Sequence, residues 1–550
     1  MKVAVVGSGV SGLAATWLLN EYSDHEVHLY EADNRPGGHA NTISFKKDTD
    51  GLSVDVDAGF IVFNPTTYPN FLRFLHLHPS LASAIQPTNM TFSVSRDDGA
   101  FEWAGNANGL KAFFTSWRRA LDPGMWRLAY DILRFNACAR RVVMRKVGGS
   151  DEEEEETSVG EYLKSKGYSD TFRDNYLLPM TAAIWSTPPE KCALEFPIKT
   201  LVRFMSNHYL LQLTGKPSWL TLRGGSKVYV NQILSALPPA QLHLSTSVKS
   251  ISTLLSPPHS RVELETSTGL TEIYDHVILA THSNDTLRII SSGHGATQDQ
   301  REQEEKILST FRWNRNDVVV HSDTKLMPKN QMTWSCWNYL ARSSSIEDPK
   351  ARDKPENDGA EKDVNRMTLT YWMNVLQDIP IETYGPVLVT LNPLPGMEPH
   401  PESIAAKFEY DHPAYDSKTI QAQKLLHTIQ ATRGVSYAGA YWRYGFHEDG
   451  FTSGLKAALD ACQVLGGVPG DDEMEGEGEE REKAQFSQLL KTSVRPPFEI
   501  KEADCDPDPV WAEVVFDLLE MSGIRWIFWW IFGVVLMTIR CMVELLVAPV

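Results

Sequence analysis

The sequence predicts an α/β protein with a Rossmann-type nucleotide-binding domain, a mixed α+β second domain, and a hydrophobic helix near the C-terminus. Three observations carry that expectation. The first thirty-one residues read strand, glycine-rich turn, helix, strand, acid. A second set of short β-branched and aromatic runs lies between residues 313 and 391. The third is an uncharged, almost wholly apolar stretch at 526–539, which follows an acidic, glycine-containing segment.

Lys2-Val-Ala-Val-Val6 is an apolar, β-branched run expected as a fully buried strand. It breaks into Gly7-Ser-Gly9-Val-Ser-Gly12, after which Leu13 to Leu19 continues as an apolar helix. A second strand, Glu26-Val-His-Leu-Tyr30, ends on Glu31, nineteen residues after Gly12. This is the complete context that G-x-G-x-x-G needs for dinucleotide binding. Gly7 makes the tight turn, Gly9 lets the backbone approach a pyrophosphate, and Gly12 lets helix and strand pack closely. The phosphates would sit at the helix N-terminus, where free N–H groups and the dipole favour negative charge. Glu31 would accept hydrogen bonds from an adenosine ribose and repel a 2′-phosphate.

The chain has 550 residues and suits two or three domains. Hydrophobic residues at 42% and charged ones at 22% belong to a globular protein with a real core. A formal net charge of −18 and the lack of a basic stripe argue against nucleic acid. Cys138, Cys192, Cys336, Cys462, Cys505 and Cys541 are scattered without C-x-x-C pairs, as expected of reduced thiols in a cytosol-facing protein rather than a metal or disulfide framework. The first strand begins at once, so no signal or transit peptide is expected.

Directly after the acid, Glu31-Ala-Asp-Asn-Arg35-Pro-Gly37-Gly38-His39 adds a second glycine pair, followed by Asp55-Val-Asp57-Ala-Gly59-Phe60. This order resembles the FAD-binding superfamily of flavin-containing amine oxidases and phytoene desaturases, whose second motif is E-x-x-x-R-x-G-G. The resemblance implies FAD as cofactor, with Arg35, Gly37 and Gly38 running along its phosphates and ribityl chain. Amine oxidases usually carry Arg after the glycine pair, where this chain has His39.

Thr66 to His76 is expected as a short helix, Met90 to Ser95 as a strand, and 106–146 as largely helical. The run Gly148 to Glu156 reads as a solvated loop, and helical segments resume to His208. The dinucleotide domain returns at Thr221-Leu-Arg-Gly224-Gly225-Ser226, with a helix from Lys227 to Leu237 and strands at 247–254 and 261–267. His276 to Thr281 is a further buried strand. By resemblance it closes the sheet of the FAD domain, and Val248 lies against the adenine through its backbone. Residues 313–320, 331–337, 366–373 and 386–391 read as strands of the second sheet, interrupted by a charged insertion at 344–363 expected to be disordered. Ser417 to Thr432 reads as a helix with Ser417 as N-cap.

A third signal is Val435-Ser-Tyr-Ala-Gly439, a loop to Gly454, and a helix from Leu455 to Leu465. Superfamily members end the FAD domain in this way, with a helix N-terminus aimed at the flavin pyrimidine; the resemblance adds Gly439, Glu448, Asp449 and Gly450 to the cofactor-binding set. It gives a discontinuous FAD domain (1–75, 220–290, 432–466), a substrate domain (76–219, 291–431), an acidic linker (467–522) and a membrane-associating tail (523–550). Asp57 to Asn64, the Ala-Ala-Ile-Trp-Ser-Thr-Pro stretch ending at Pro188, Asn207 to Gly215 and Gly439 to Gly450 narrow the resemblance. They look like the amine-oxidase-like flavoproteins associated with cyclopropane-fatty-acid synthases, over residues 1–465.

In the tail, Trp526 to Ile539 is flanked by Arg525 and Arg540. As a helix it covers about 21 Å, short of a hydrocarbon core of roughly 30 Å. Extended to Val550 it is long enough, with Arg540 and Glu544 four apart on one face. A tail anchor and an interfacial helix are both open. Either attaches the protein to a membrane with its flavin domain facing the cytosol, on the endoplasmic reticulum.

No metal-ligand spacing or catalytic Ser/His/Asp order stands out, and a flavin brings its own hydride chemistry. Candidates for its surroundings are His39, Trp185, Tyr441, Trp442, Tyr444 and His447, of which Tyr441 and Trp442 stand where amine oxidases cage their substrate. His412 is expected to make a structural hydrogen bond at a strand-to-helix turn. Three functions are open: an FAD-dependent oxidoreductase of an apolar, lipid or fatty-acyl, substrate; an amine oxidase using O2; and a non-catalytic flavin-binding partner of a lipid-modifying enzyme.

Overall fold

The computed structural model describes residues 1–46, 51–144, 157–185, 194, 196–212, 218–254, 261–342, 368–466, 494–502 and 510–547. The expected acidic loop at 148–156, the insertion at 344–363 and the acidic stretch at 467–484 lie outside them.

Lys2–Val6 is a strand in which Val3, Ala4 and Val5 are wholly buried. A strand closed on both faces has no polar side to present, hence the unbroken apolar run. It is the centre of a five-stranded parallel sheet in the order Val435–Tyr437, His276–Leu279, Lys2–Val6, Glu26–Tyr30, Leu242–His243. Val6 is flanked by Leu279 and Tyr30, so the turn after it lies at the carboxyl ends of the strands, where open α/β sheets bind ligands. The strand at 276–279, expected to close this sheet, is an inner one buried at every position; Val435–Tyr437 forms the edge. The strands at Val248–Leu254 and Arg261–Thr266 make a separate antiparallel sheet with Thr271–Tyr274.

Helix α1 (Val10–Tyr22) lies behind the first turn. Helix α2 (Pro69–Leu77) starts three residues later than expected. Asn64 Oδ1 accepts from the N–H groups of Thr66 and Thr67 and holds them in a turn ahead of it. Helix α3 (Pro123–Cys138) is capped by Asp122, whose carboxylate accepts from the N–H of Gly124 at 2.9 Å.

The second sheet has seven strands in the order Ile404–Ala414, Arg312–His321, Leu388–Leu391, Thr368–Trp372, Trp337–Ala341, Phe92–Arg96, Phe101–Gly105. Trp337–Ala341 runs parallel to Phe92–Arg96 and the other pairs are antiparallel. Residues 331–333, expected inside a strand, form a single 3-10 turn, because Asn330 Oδ1 accepts from the N–H of Met332 and curls the chain. His412 sits within the edge strand Ile404–Ala414, opposite Asn314, rather than at a turn. The helix that follows, Ser417–Leu425, is capped by Asp416 instead of Ser417: the Asp416 carboxylate accepts from the N–H of Thr419 at 2.8 Å.

Helix α4 (His447–Gly466) begins eight residues before the expected Leu455. Its glycines permit a close crossing with α1: a Cβ on Gly454 would stand 2.0 Å from the Ser11 carbonyl oxygen, and one on Gly450 2.6 Å from Val10 Cγ1. Packing here outweighs the low helix propensity of glycine.

Of the linker expected over 467–522, the described residues 494–502 and 510–522 pack on the body. Within 494–502, Lys501 N donates to Asn70 Oδ1 (2.9 Å), Asn70 Nδ2 donates back to the Lys501 carbonyl (2.7 Å), and Phe498 stacks on Trp17 at 6.1 Å. Helix α5 (Ala512–Met521) docks on α3 through an ion pair from Arg134 to Glu520 (3.3 Å), and on the residues just after α3 through ion pairs from Arg141 to Glu513 (2.6 Å) and Asp517 (2.8 Å). Helix α6 (Ile524–Val547) follows, with Trp529 against Tyr130 and Phe532 against Trp126. Its window Ile527–Glu544 has a mean hydropathy of 1.7 and, among the described residues, is the one helix long and apolar enough to cross a membrane by length and composition.

Candidate functional site

At the carboxyl end of Lys2–Val6 the backbone turns through Gly7 at φ +98°, a left-handed conformation that favours glycine. A Cβ there would also lie 2.7 Å from the Ala280 carbonyl oxygen. On Gly12 a Cβ would stand 1.8 Å from the Gly7 carbonyl oxygen, so Gly12 is required by the turn itself as much as by helix–strand packing. Gly9 differs. A Cβ built on it meets nothing within 4 Å. It is the N-cap of α1, with no side-chain cap and no acid in the first turn, so unpaired N–H groups face open space. That space suits a pyrophosphate, which meets backbone only if no side chain intervenes.

Glu31 borders the same space. One carboxylate oxygen accepts from the N–H of Ser8 (2.9 Å) and the other from that of Asp33 (2.9 Å), which fixes the group beside the loop. Gly37 N donates to the Ser8 carbonyl, and a Cβ on Gly38 would be 3.1 Å from Gly9 Cα, so the second glycine pair lies directly against the first. Arg35, expected along the phosphates, does not line the cavity. Its guanidinium donates to the carbonyls of Gly38 (2.8 Å) and Pro36 (3.2 Å) and laces its own loop.

From this loop a cavity of about 1130 Å3 runs into the second domain. Five histidines line it, His208 and the four that follow. His39 is half-buried and stacks on Tyr410 (4.7 Å) and His412 (5.3 Å); its Nε2 is enclosed and has no hydrogen-bond partner. Burial, reinforced by the neighbouring histidines, holds its pKa well below 6.5, so the ring is neutral. His412 accepts from the Asn316 amide at Nδ1 (3.2 Å), the structural bond expected of it, and burial lowers it to about 4. His447 accepts from the Tyr229 hydroxyl (2.6 Å), lies flat on Phe60 at 3.8 Å, and is lowered by burial to about 3. His282, stacked on Trp313 at 3.9 Å, had no sequence signal of its own. Its position just past His276–Leu279, at the carboxyl ends of the strands, is the one clue that marks it.

Tyr441 lines the cavity with its ring edge-on to Phe311 (4.9 Å) and its hydroxyl unpaired. Gly439 and Tyr444 line it too, whereas Trp442 packs behind, outside the lining. The side chain of Trp185 lies outside the described residues. Three residues expected at the cofactor turn elsewhere. Glu448 accepts from the N–H groups of Asn70 (2.8 Å) and Phe71 (3.0 Å) and so caps α2. Asp449 accepts from those of Phe446 and Tyr444, and Gly450 faces α1. Helical rotation explains this: His447 opens α4 on the cavity side, and the next three positions swing to its other faces. Burial raises Glu448 to about 8 and Asp449 to about 7 against the lowering effect of those hydrogen bonds. Val248 is buried beneath the sheet, outside the lining.

The far arm of the cavity is lined by Phe92, Trp103, Phe113, Phe114, Trp126, Ile132 and Tyr176, and it reaches Leu110 and Leu133, which are 74% and 43% exposed. Among the described residues, no lysine or arginine lines any part of the cavity, and its carboxylates (Glu31, Asp33, Asp285, Asp411) all lie outside this arm, at the nucleotide loop and strand ends. No local motif marks these aromatic residues; they converge through folding alone.

The family model described as flavin containing amine oxidoreductase matches residues 10–291. No curated protein matches the chain. Among solved structures, a CLA-producing fatty acid isomerase from P. acnes is similar at 13% identity, over 82% of this chain and 97% of that one, with a TM-score of 0.53. Cyclohexylamine oxidase from Brevibacterium oxydans IH-35A is 15% identical over 84% and 99%, with a TM-score of 0.53. Reduced UDP-galactopyranose mutase is 16% identical over 89% and 98%, with a TM-score of 0.52. At such identities the likeness is one of fold.

Proposed function

Since the chain belongs to the flavin-containing amine oxidoreductases, we propose that it is an FAD-dependent oxidoreductase whose substrate is an apolar, lipid or fatty-acyl, chain. The observation that carries this is the far arm of the cavity, walled by aromatic and aliphatic side chains with no charged group among the described residues. An ammonium ion would leave its hydration shell there without a carboxylate to meet it, whereas a hydrocarbon chain gains about 25 cal/mol for each Å2 buried. The choice of FAD is supported by Glu31 beside the open Gly9 turn, which suits an adenosine ribose next to a pyrophosphate. When bound, the flavin supplies a hydride acceptor, so the protein has to position the substrate and keep water out. Tyr441 and Tyr444 border the place where arm and nucleotide loop meet. His39, neutral at physiological pH, lines the same cavity.

The test is anaerobic bleaching of the flavin absorbance of the loaded protein. Bleaching by acyl lipids and not by primary amines is expected. Bleaching by amines alone would overturn the substrate class, and no bleaching by either would favour a non-catalytic flavin-binding role.

A further inference from the structure

We infer that α5, α6 and the neighbouring strip from Leu110 to Arg118 form one face that lies in a single leaflet of a membrane, with α6 along the surface rather than across it, and that the apolar arm of the cavity opens within that face. The docking stands on the packing of the tail. The placing of the mouth rests on the lipid reading given above.

The buried and half-buried positions of α6 recur as Arg525, Trp529, Phe532, Leu536 and Arg540, a stripe of helical period along its length. Contacts follow that stripe. Trp529 meets Tyr130 and Phe532 meets Trp126 on α3, Gly533 lies by Pro123, and Glu544 lies 3.8 Å from Arg118. From Arg525 to Glu544 this is about 30 Å of helix laid against the body. Little of the helix is buried, yet a helix held along this line could not stand upright in hydrocarbon unless the body, with its charged surface, entered too. The opposite face of α6 is apolar and open: Ile527, Trp530, Ile531, Val534 and Met537 are each more than half exposed. The exposed Leu518 and Met521 of α5, and Trp511 just before it, continue it. An apolar face with tryptophan, parallel to a docked stripe, is the form of an interfacial helix.

The apolar length identifies the occupant. The window Ile527–Glu544 has a mean hydropathy of 1.7 and lies almost wholly outside the core, and its exposed Trp530 suits the headgroup boundary above acyl chains. In the neighbouring strip Arg118 and Arg119 pair with Glu544 and Asp122, so the charge there is largely balanced. Helix α3 is a shared wall: Trp126 lines the cavity and touches Phe532, while the exposed Leu133 and Leu110 line the arm where it reaches the surface. An acyl chain would pass from leaflet to cavity without crossing water.

The experiment uses the full, flavin-loaded chain with a protease-cleavable tag added after Val550, mixed with sealed vesicles of phosphatidylcholine and phosphatidylserine. Sedimentation with the vesicles is expected, with the tag fully cut by protease added outside. A tag protected until detergent is added would mean that α6 spans, and would overturn the proposal. So would a soluble dimer that ignores vesicles, because a second copy would then cover the face. Val534→Asp should lower vesicle binding tenfold or more while melting temperature and colour are kept; unchanged binding overturns the docking. Leu133→Trp should slow bleaching by vesicle-borne lipid at least tenfold with vesicle binding unchanged. Equal rates overturn the mouth alone. Intact docking with no bleaching by any lipid would instead count against the substrate class.

Discussion

At the scale of single residues, the three glycines of the first turn have separable duties. Gly9→Ala adds a methyl to open space, so it should fold with the melting temperature of the flavin-free wild type yet retain flavin at least tenfold less well. Gly12→Ala forces a methyl to 1.8 Å from the Gly7 carbonyl and should cost about 3 kcal/mol or more of stability. Thermal melts paired with absorbance near 450 nm (about the usual flavin band) separate the two; a Gly9→Ala protein that keeps its colour would contradict the role given to that space. Glu31→Ala should weaken FAD by about 1.5–3 kcal/mol, the scale of a hydrogen bond to a charged group, measured by titrating the cofactor into stripped protein. Gly7, Gly9, Gly12 and Glu31 were legible because spacing alone places them. Arg35 was not, because a motif marks a position in the chain and leaves the direction of the side chain open.

At the scale of elements, the sequence was readable where burial is complete and obscure where it is partial. The strands at 2–6 and 276–279 are unbroken apolar runs because both faces are covered. The strand Ile404–Ala414 escaped notice because it is an edge strand with alternating exposure and a proline near its end, Pro413, which only an edge tolerates. The start of α4 was hidden by Gly450 and Gly454, which read as loop and serve as contact points for α1. The same helix supplies a testable joint. Glu448→Ala removes the cap of α2 and leaves two buried N–H groups unpaired, a cost of about 1–3 kcal/mol. The melting temperature should fall while the flavin stays bound at room temperature. Loss of flavin without loss of stability would return Glu448 to the cofactor.

At the scale of the whole molecule, buried titratable groups set opposing pH trends. Desolvation lowers His25, His39, His208, His276, His321, His412 and His447, to about 4 for His25, His208, His321 and His412 and about 3 for His276 and His447. Their contribution is complete above the unfolded value near 6.5 and is lost as pH falls. Asp57, Asp449 and Glu448 are raised by burial to about 6, 7 and 8; their contribution is complete at low pH and is lost as pH rises toward those values. Each group acts with a slope of at most about 1.4 kcal/mol per pH unit, and the lowered histidines outnumber the three raised carboxyls, so stability is lost on balance as pH falls below 6.5. The melting temperature should peak near pH 6.5 and fall more steeply on the acid side, and Glu448→Gln should flatten the alkaline side. A melting temperature that rises between pH 6.5 and 5 would contradict this balance.

The order of strands in the parallel sheet also has a consequence in time. Lys2–Val6 leaves the ribosome first, but one neighbour, His276–Leu279, follows some 270 residues later, and the edge at Val435–Tyr437 later still. At about 5–20 residues per second, the first strand and its turn wait for roughly a quarter of a minute to a minute with one side unpaired. Through that interval the nascent chain exposes an apolar edge able to pair with other chains. A chain released before residue 435 lacks the strand that completes the sheet and the helix that rests on α1. Flavin capture is therefore expected as a late event, and the yield of coloured protein should depend more on chaperones and on the pace of synthesis than its final stability would suggest.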